Sequence, residues 1–455
     1  MGAPVVRIGN GQAFWGDTPS GPTQLVQRGD VAYLTMDFLA EITMSLLQKA
    51  RRRRPETGYA TDFVDVVERV LPACRERGVR IVANAGGVNP RGCAEACEAV
   101  IRKLGLGGVR LGVVDGDNIV GDLPDLAAAG HLANLDTGEP LGPHLDRVLS
   151  ANAYLGAAPI AEALARGADV VVTGRVADAA LTLGPLLHEH GWALDDHDRL
   201  AAGIVAGHIL ECGTQATGGN FDRWEEVPDP ADIGWPIVEV EANGSFTVTK
   251  PAGTGGMVTA DTVIAQVLYE IGDPRRYLTP DVVADFTSFR LTDDGPDRVR
   301  VAGVRGTPAT DSYKVSVSLD AGWKASGQLV VAGPQAAAKA RFVADLLWAR
   351  LAADGAAFGP DERLVEVVGT GVVFPGMVDA DVDPVEVALR VGVRHPDRRR
   401  VERFGRELAA LVTAGPSGLT GFAGGRPKPS DVVAFWPALV PKDRVTPRVT
   451  VWEVR

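Results

Sequence analysis

Val5-Val6-Arg7-Ile8-Gly9-Asn10-Gly11-Gln12-Ala13-Phe14-Trp15-Gly16-Asp17 is the stretch on which the fold turns. A short apolar run reads as a first strand and gives way at once to a glycine-rich polar turn. Outward from it the pattern repeats. Val31–Met36, Arg80–Ala85, Val109–Val114 and Asp169–Thr173 are runs of the same kind, and helical periods lie between them at Phe38–Arg53, Phe63–Arg77, Cys93–Leu104, Ala158–Arg166 and Asp178–His188. Such alternation builds an α/β fold, a mostly parallel sheet flanked by helices in a Rossmann-like three-layer arrangement. Ligands of these sheets bind outside the carboxyl ends of the strands.

The five predicted strand ends carry Asn10 and Gly11, then Asp37 with Glu41 one turn on, then Asn84, Gly87 and Asn89, then Asp115 and Asp117, then Arg175 and Asp178. Solvation explains any one polar loop, but five on one edge predict a shared site. A strand-end arginine suits a bidentate grip on carboxylate or phosphate, while Asp178 reads equally as a helix cap. Asp37, Asp115 and Asp117 have the chemistry for a divalent cation, but no spacing imposes one, and no metal is expected.

A second informative stretch runs from His208 to Phe221 and closes an Ala-rich helical run that begins at Arg199. His208, Glu211 and Cys212 stand at i, i+3 and i+4, on one helical face. Cys212 lies at the negative end of the helix dipole, which opposes a thiolate and weakens its reading as a nucleophile. Glu211 or His208 as an acid–base group needs only a desolvated pocket. A helix end packed in the core, with a satisfied histidine and an inert cysteine, is the alternative to chemistry. Asp37 joins these three as a candidate catalytic group. Gly213–Gly219, with Gln215 and Thr217, and Gly253–Gly256, with Gly255 and Gly256, read either as backbone cradles for an anion or as tight turns. Neither fits the phosphate loop or the dinucleotide fingerprint, so no cofactor is expected.

A chain of 455 residues is too long for one ordinary core. Near residue 236 the character changes to hairpins and long helices, which predicts an α/β domain over 1–235 and an α+β domain over 236–455. The net charge of −12 argues against a nucleic-acid surface, despite the run Arg51–Arg54, which reads as a solvated helix end. No run approaches a membrane span, no signal peptide opens the chain, and the four cysteines form no framework. A cytoplasmic protein is expected.

Gly9–Asp17, Gly86–Pro90, Asn152–Gly156, Thr173–Asp178, His208–Gly219, Gly253–Gly256 and the tail Gly424-Gly425-Arg426-Pro427 together resemble the acyclic terpene utilisation, AtuA-like, family. The resemblance adds Asn152 to the candidate binding residues. It implies catabolism of branched acids as CoA thioesters and a lyase or hydratase acting on a 3-hydroxyacyl-CoA. A homo-oligomer is expected. Many relatives carry a small ferredoxin-like domain after the tail motif. This chain stops at Arg455, which suggests a separate small ferredoxin-like partner or a variant that dispenses with it. Two other function classes stay open: a hydrolase or acyltransferase working through Cys212, and a non-catalytic assembly subunit.

Overall fold

The computed structural model describes residues 5–377, 383–421 and 425–455, so Gly424 of the tail motif lies outside the described residues. The principal sheet has ten strands: β1 (Val6–Asn10), β2 (Tyr33–Met36), β3 (Arg80–Ala83), β4 (Arg110–Asp115), β5 (Val170–Thr173), β6 (Ile237–Val240), β7 (Phe246–Thr249), β8 (Arg290–Asp293), β9 (Val299–Ala302) and β10 (Arg448–Glu453). Their order is β8-β9-β7-β6-β1-β2-β3-β5-β4-β10. The five central strands pair in parallel, and the strands on both sides join antiparallel. The fold is α/β.

Helices cover both faces of the parallel strands. The helices as far as residue 267 are α1 (Ser20–Arg28), α2 (Glu41–Arg53), α3 (Thr61–Arg77), α4 (Pro90–Lys103), α5 (Leu123–Ala128), α6 (Ala158–Ala165), α7 (Ala180–His190), α8 (His197–Glu211) and α9 (Ala260–Val267). Leu34, Met36, Ile81, Ala83, Val170 and Val172 pack in one buried cluster with Leu25 of α1, Phe63 of α3 and Cys97 of α4. On the opposite face Tyr33 donates its hydroxyl proton to Glu189 of α7 at 2.5 Å. Strands buried on both faces need continuous apolar runs, which is why β1 to β5 are legible as such. Helix α8 is buried all round from Leu200 to Leu210, so its last turn carries His208 and Glu211 into the interior. Among the described residues no helix is long and apolar enough to cross a membrane.

By density of contacts the chain divides into two units. The first takes the residues up to Ser318 and returns with Phe435–Arg455, and the second is Leu319–Ala434. Residues 235 and 236, the expected division, fall within the first unit. There β6 pairs with β1 (Ile8 opposite Val238), and β10 comes back from the chain's end to pair with β4 (Val113 opposite Thr450). The sequence changes character at 236 because parallel strands give way to antiparallel ones in the same sheet.

In the second unit, Leu329, Val331, Leu347, Leu389, Phe404 and Leu408 are the heart of one apolar core. Ser312–Ala332 is a single long strand. Trp323–Ala332 pairs without interruption against Glu386–His395.

Candidate functional site

Each central strand delivers a buried polar side chain at or just beyond its carboxyl end: Asn10 and Gln12 from β1, Asp37 from β2, Asn84 from β3, Asp117 from β4 and Arg175 from β5. Arg175 is 1% exposed, the largest side chain so deeply buried among the described residues. Its Nη1 donates to Asp178 at 2.5 Å and to the carbonyls of Leu39 and Val176, and its guanidinium lies 4.1 Å over the ring of Tyr154. A buried cation without such partners would be strongly destabilising. Tyr154 donates to Glu41 at 2.8 Å, and Lys314 donates to the same oxygen at 3.2 Å. Burial pushes the Glu41 carboxyl up, but Arg175, Lys314 and the Tyr154 hydrogen bond outweigh it and hold it at about 2.

Asp37 Oδ1 accepts from Asn84 Nδ2 at 2.6 Å and from the Leu39 amide at 3.1 Å. Burial, followed by the repulsion of Asp178, pushes its carboxyl well above the usual range, against the pull of Arg175 and Asn84. Glu211 adds to that upward push. Asp117 accepts from Asn152 at 2.7 Å and from the Arg175 amide at 2.9 Å, so it sets the strand end from which Arg175 projects. Burial raises its carboxyl to about 6.

His208 and Glu211 form the second half of the cluster. His208 Nε2 faces the Gln266 carbonyl at 3.1 Å, an acceptor only, so this nitrogen carries a proton. Nδ1 lies 2.8 Å from Glu211 Oε1, and that bond needs a proton of its own, from imidazolium or from carboxylic acid. The pair therefore shares one proton. Burial opposes the charged imidazole, but the charge and hydrogen bond of Glu211 outweigh it and raise the His208 pKa. Burial raises Glu211 in turn, against the pull of His208. Glu211 Oε2 is buried without a partner. The rings of Tyr277 and Phe286 pack around the imidazole at 5.5 and 5.2 Å.

The structure assigns other candidates to architecture. Asn10 Nδ2 donates to the carbonyls of Gln12, Leu210 and Glu211, and so ties β1 to the end of α8. Asn89 caps α4, and the Thr217 hydroxyl donates to Gly234. A Cβ at Gly11 would press on the Pro22 backbone, and one at Gly87 on Leu47. Gln215 sits half-buried in the turn Gly213–Thr217. The Gly253–Gly256 loop, read as a possible anion cradle, is closed on itself. The Gly255 amide donates to Asp232 and the Gly256 amide to Pro228, which leaves neither for an anion. Nor is Cys212 activated: burial first and Glu211 second push its thiol up to about 12. Asp115 pairs with Arg448 at 2.8 Å. Among the described residues no group of three or more His, Cys, Asp or Glu is arranged to hold a metal ion.

Several members of the cluster carried no clear sequence signal. Gln12 and Tyr154 stand inside quoted motifs but look like ordinary turn residues there. Gln266, Tyr277 and Lys314 come from segments with no chemical pattern. A cleft of about 660 Å³ is lined by Ala13, Phe14, Arg69, Cys212, Thr214 and Trp235 among others, of which Ala13 and Cys212 follow Gln12 and Glu211 in the chain.

Comparison with curated proteins and with solved structures gave no match. The family described as acyclic terpene utilisation family protein AtuA matches residues 6–451, nearly the whole chain, including every strand-end residue described above. The chain belongs to the acyclic terpene utilisation family.

Proposed function

We propose that this protein is an enzyme of branched or acyclic carboxylic acid metabolism, a lyase or hydratase that moves protons on an acyl-CoA of the 3-hydroxyacyl type or a related carboxylate. The observation that carries the reading is Glu211, whose Oε1 is fixed on His208 while Oε2 is buried and unpaired. A carboxyl group held in that way, in a desolvated site with raised proton affinity, is suited to general acid–base work near neutral pH.

With the shared proton on His208, Glu211 Oε2 takes the proton from the substrate carbon next to the carbonyl. The electrons of that C–H bond form the carbon–carbon double bond as the bond from C3 to its hydroxyl breaks. Asp37, whose burial favours the protonated carboxyl, gives its proton to the leaving hydroxyl, and water departs. Hydration is the same sequence in reverse. Arg175 supplies positive charge beside the negative charge that develops. The cleft has a size usual for small-molecule sites and takes the outer part of the ligand.

Family membership supports an acyclic, terpene-related substrate, and the thiol of Cys212, pushed up to about 12, speaks against the hydrolase alternative. Turnover across a panel of acyl-CoA esters, compared between wild type, Glu211→Gln and His208→Ala, tests the reading. Glu211→Gln is expected to be inactive and His208→Ala strongly impaired. Equal activity in all three would remove both side chains from the mechanism.

A further inference from the structure

Gln12 is fully buried, and both of its carboxamide atoms, Nε2 and Oε1, lack a hydrogen-bond partner. Such a group is uncommon in a folded interior, because an amide taken out of water without a partner is destabilising. Its backbone carbonyl, by contrast, is doubly engaged. The Gln12 carbonyl accepts from the Asp37 amide at 2.9 Å and from Asn10 Nδ2 at 2.9 Å. Asn10 Nδ2 also reaches the Glu211 carbonyl at 3.2 Å. Residue 12 is thus tied directly to the backbone of Asp37 and, through one amide nitrogen, to that of Glu211.

A second regularity points the same way. Ala13 and Cys212 both line the cleft, and the residues immediately before them, Gln12 and Glu211, each hold unpaired buried polar atoms. Gln12 Nε2, which donates, and Gln12 Oε1 and Glu211 Oε2, which accept, are thus three unpaired atoms on residues adjacent in sequence to the cleft lining. Phe14, on the same loop, is exposed and lines the cleft, whereas Gln12 points inward.

We infer that the Gln12 carboxamide is a substrate-binding group of the strand-end site, with Nε2 donating to the acyl carbonyl oxygen and Oε1 accepting from a hydroxyl or N–H beside it. The inference rests on the acyl-substrate reading above and extends it to a residue outside the proton-transfer machinery. A donor on the carbonyl oxygen stabilises the enolate character that grows as the neighbouring proton leaves, so Gln12 acts on both KM and kcat.

The test is to measure the melting temperature of wild type and Gln12→Met with and without 3-hydroxybutyryl-CoA, together with the kinetics. Methionine fills nearly the same space without a polar atom. The free variant is expected to melt at or above the wild-type temperature, because no pairing is lost. Its ligand-induced shift should fall, with binding about 10-fold weaker. Gln12→Leu, which also removes both polar atoms but with a different shape, makes the same point should methionine fit the space badly. A clear drop in the free melting temperature of both variants would show the amide to be a bonded part of the interior and overturn the inference. So would an undiminished ligand shift in a variant when the wild type responds. A wild type that neither the thioester nor free 3-hydroxybutyrate stabilises would instead sink the acyl reading itself, a different and recognisable failure.

Discussion

The two interiors of this chain follow different rules. The second unit packs Leu329, Leu347, Leu389, Phe404 and their neighbours into an apolar core, and none of its described residues is a buried polar or charged side chain. The strand ends of the first unit bury Asn10, Gln12, Asp37, Asn84, Asp117 and Arg175 together, and Gln12, Arg175, Glu211 and Gln266 each leave a polar side-chain atom unpaired. Leaving one buried polar group unpaired costs about 1–3 kcal/mol. The second interior has no such burden and is explained by stability alone. The first concentrates groups that stability alone would discard, which is what the proposed function would require of it.

That contrast breaks or holds under substitution. The largest effect is expected from Arg175→Met, which strips the cation from Asp178 and from Asp37. We expect a loss of about 3–5 kcal/mol in urea denaturation, with loss of turnover. An unchanged midpoint would mean the cluster is not held by its charges. Next comes Leu389→Ala in the apolar core, which should destabilise by about 2–5 kcal/mol while leaving turnover per folded molecule unchanged. A specific drop in kcat there would place chemistry in the second unit and dissolve the distinction.

A smaller effect concerns pH. Burial raises the Asp117 carboxyl from its ordinary value near 3.8 to about 6, so the folded protein holds this proton more firmly than the unfolded chain. Stability should therefore fall as pH rises from about 4 to about 6, by about 3 kcal/mol from this group. His208 has the same sign, because its raised pKa gives stability that is complete below its unfolded value and lost as pH rises through the folded one. Glu41, held down at about 2, acts oppositely and matters only in stronger acid. Asp117→Asn should flatten the slope between pH 4 and 6 in urea titrations, and an unaltered slope would contradict the assignment. The smallest effect is expected from Cys212→Ala. A thiol at about 12 is about 10⁻⁵ ionised at neutral pH, so turnover should stay within about twofold of wild type. A large loss would revive covalent catalysis.

The parallel half of the fold was legible because each of β1 to β5 is a continuous apolar run with polar punctuation, and the expected spans lie within about two residues of those observed. The antiparallel additions were not. A hairpin such as β6 and β7 announces its own turn at Asn243-Gly244 but not the sheet edge it joins, and nothing local in Arg448–Glu453 names β4 as its partner. In the site, Asp37, Arg175, His208 and Glu211 could be named because charged groups at strand ends or on one helical face are conspicuous. Gln12 could not be distinguished, since an amide in a glycine-rich loop reads alike whether solvated or buried. The Gly253–Gly256 loop failed in the opposite sense. A cradle and a tight turn share a composition, and only the partners of the amides separate them.

Solvent exchange at the acyl α-carbon tests the account most directly, because it reports the transfer of the α-proton itself. The wild-type protein in D2O is expected to exchange the α-protons of 3-hydroxybutyryl-CoA, followed by NMR, and Glu211→Gln should lose that exchange by about 10²–10⁴-fold while melting close to the wild-type temperature. Exchange at equal rates in the two proteins, or none in the wild type across a panel of acyl-CoA esters, would contradict it.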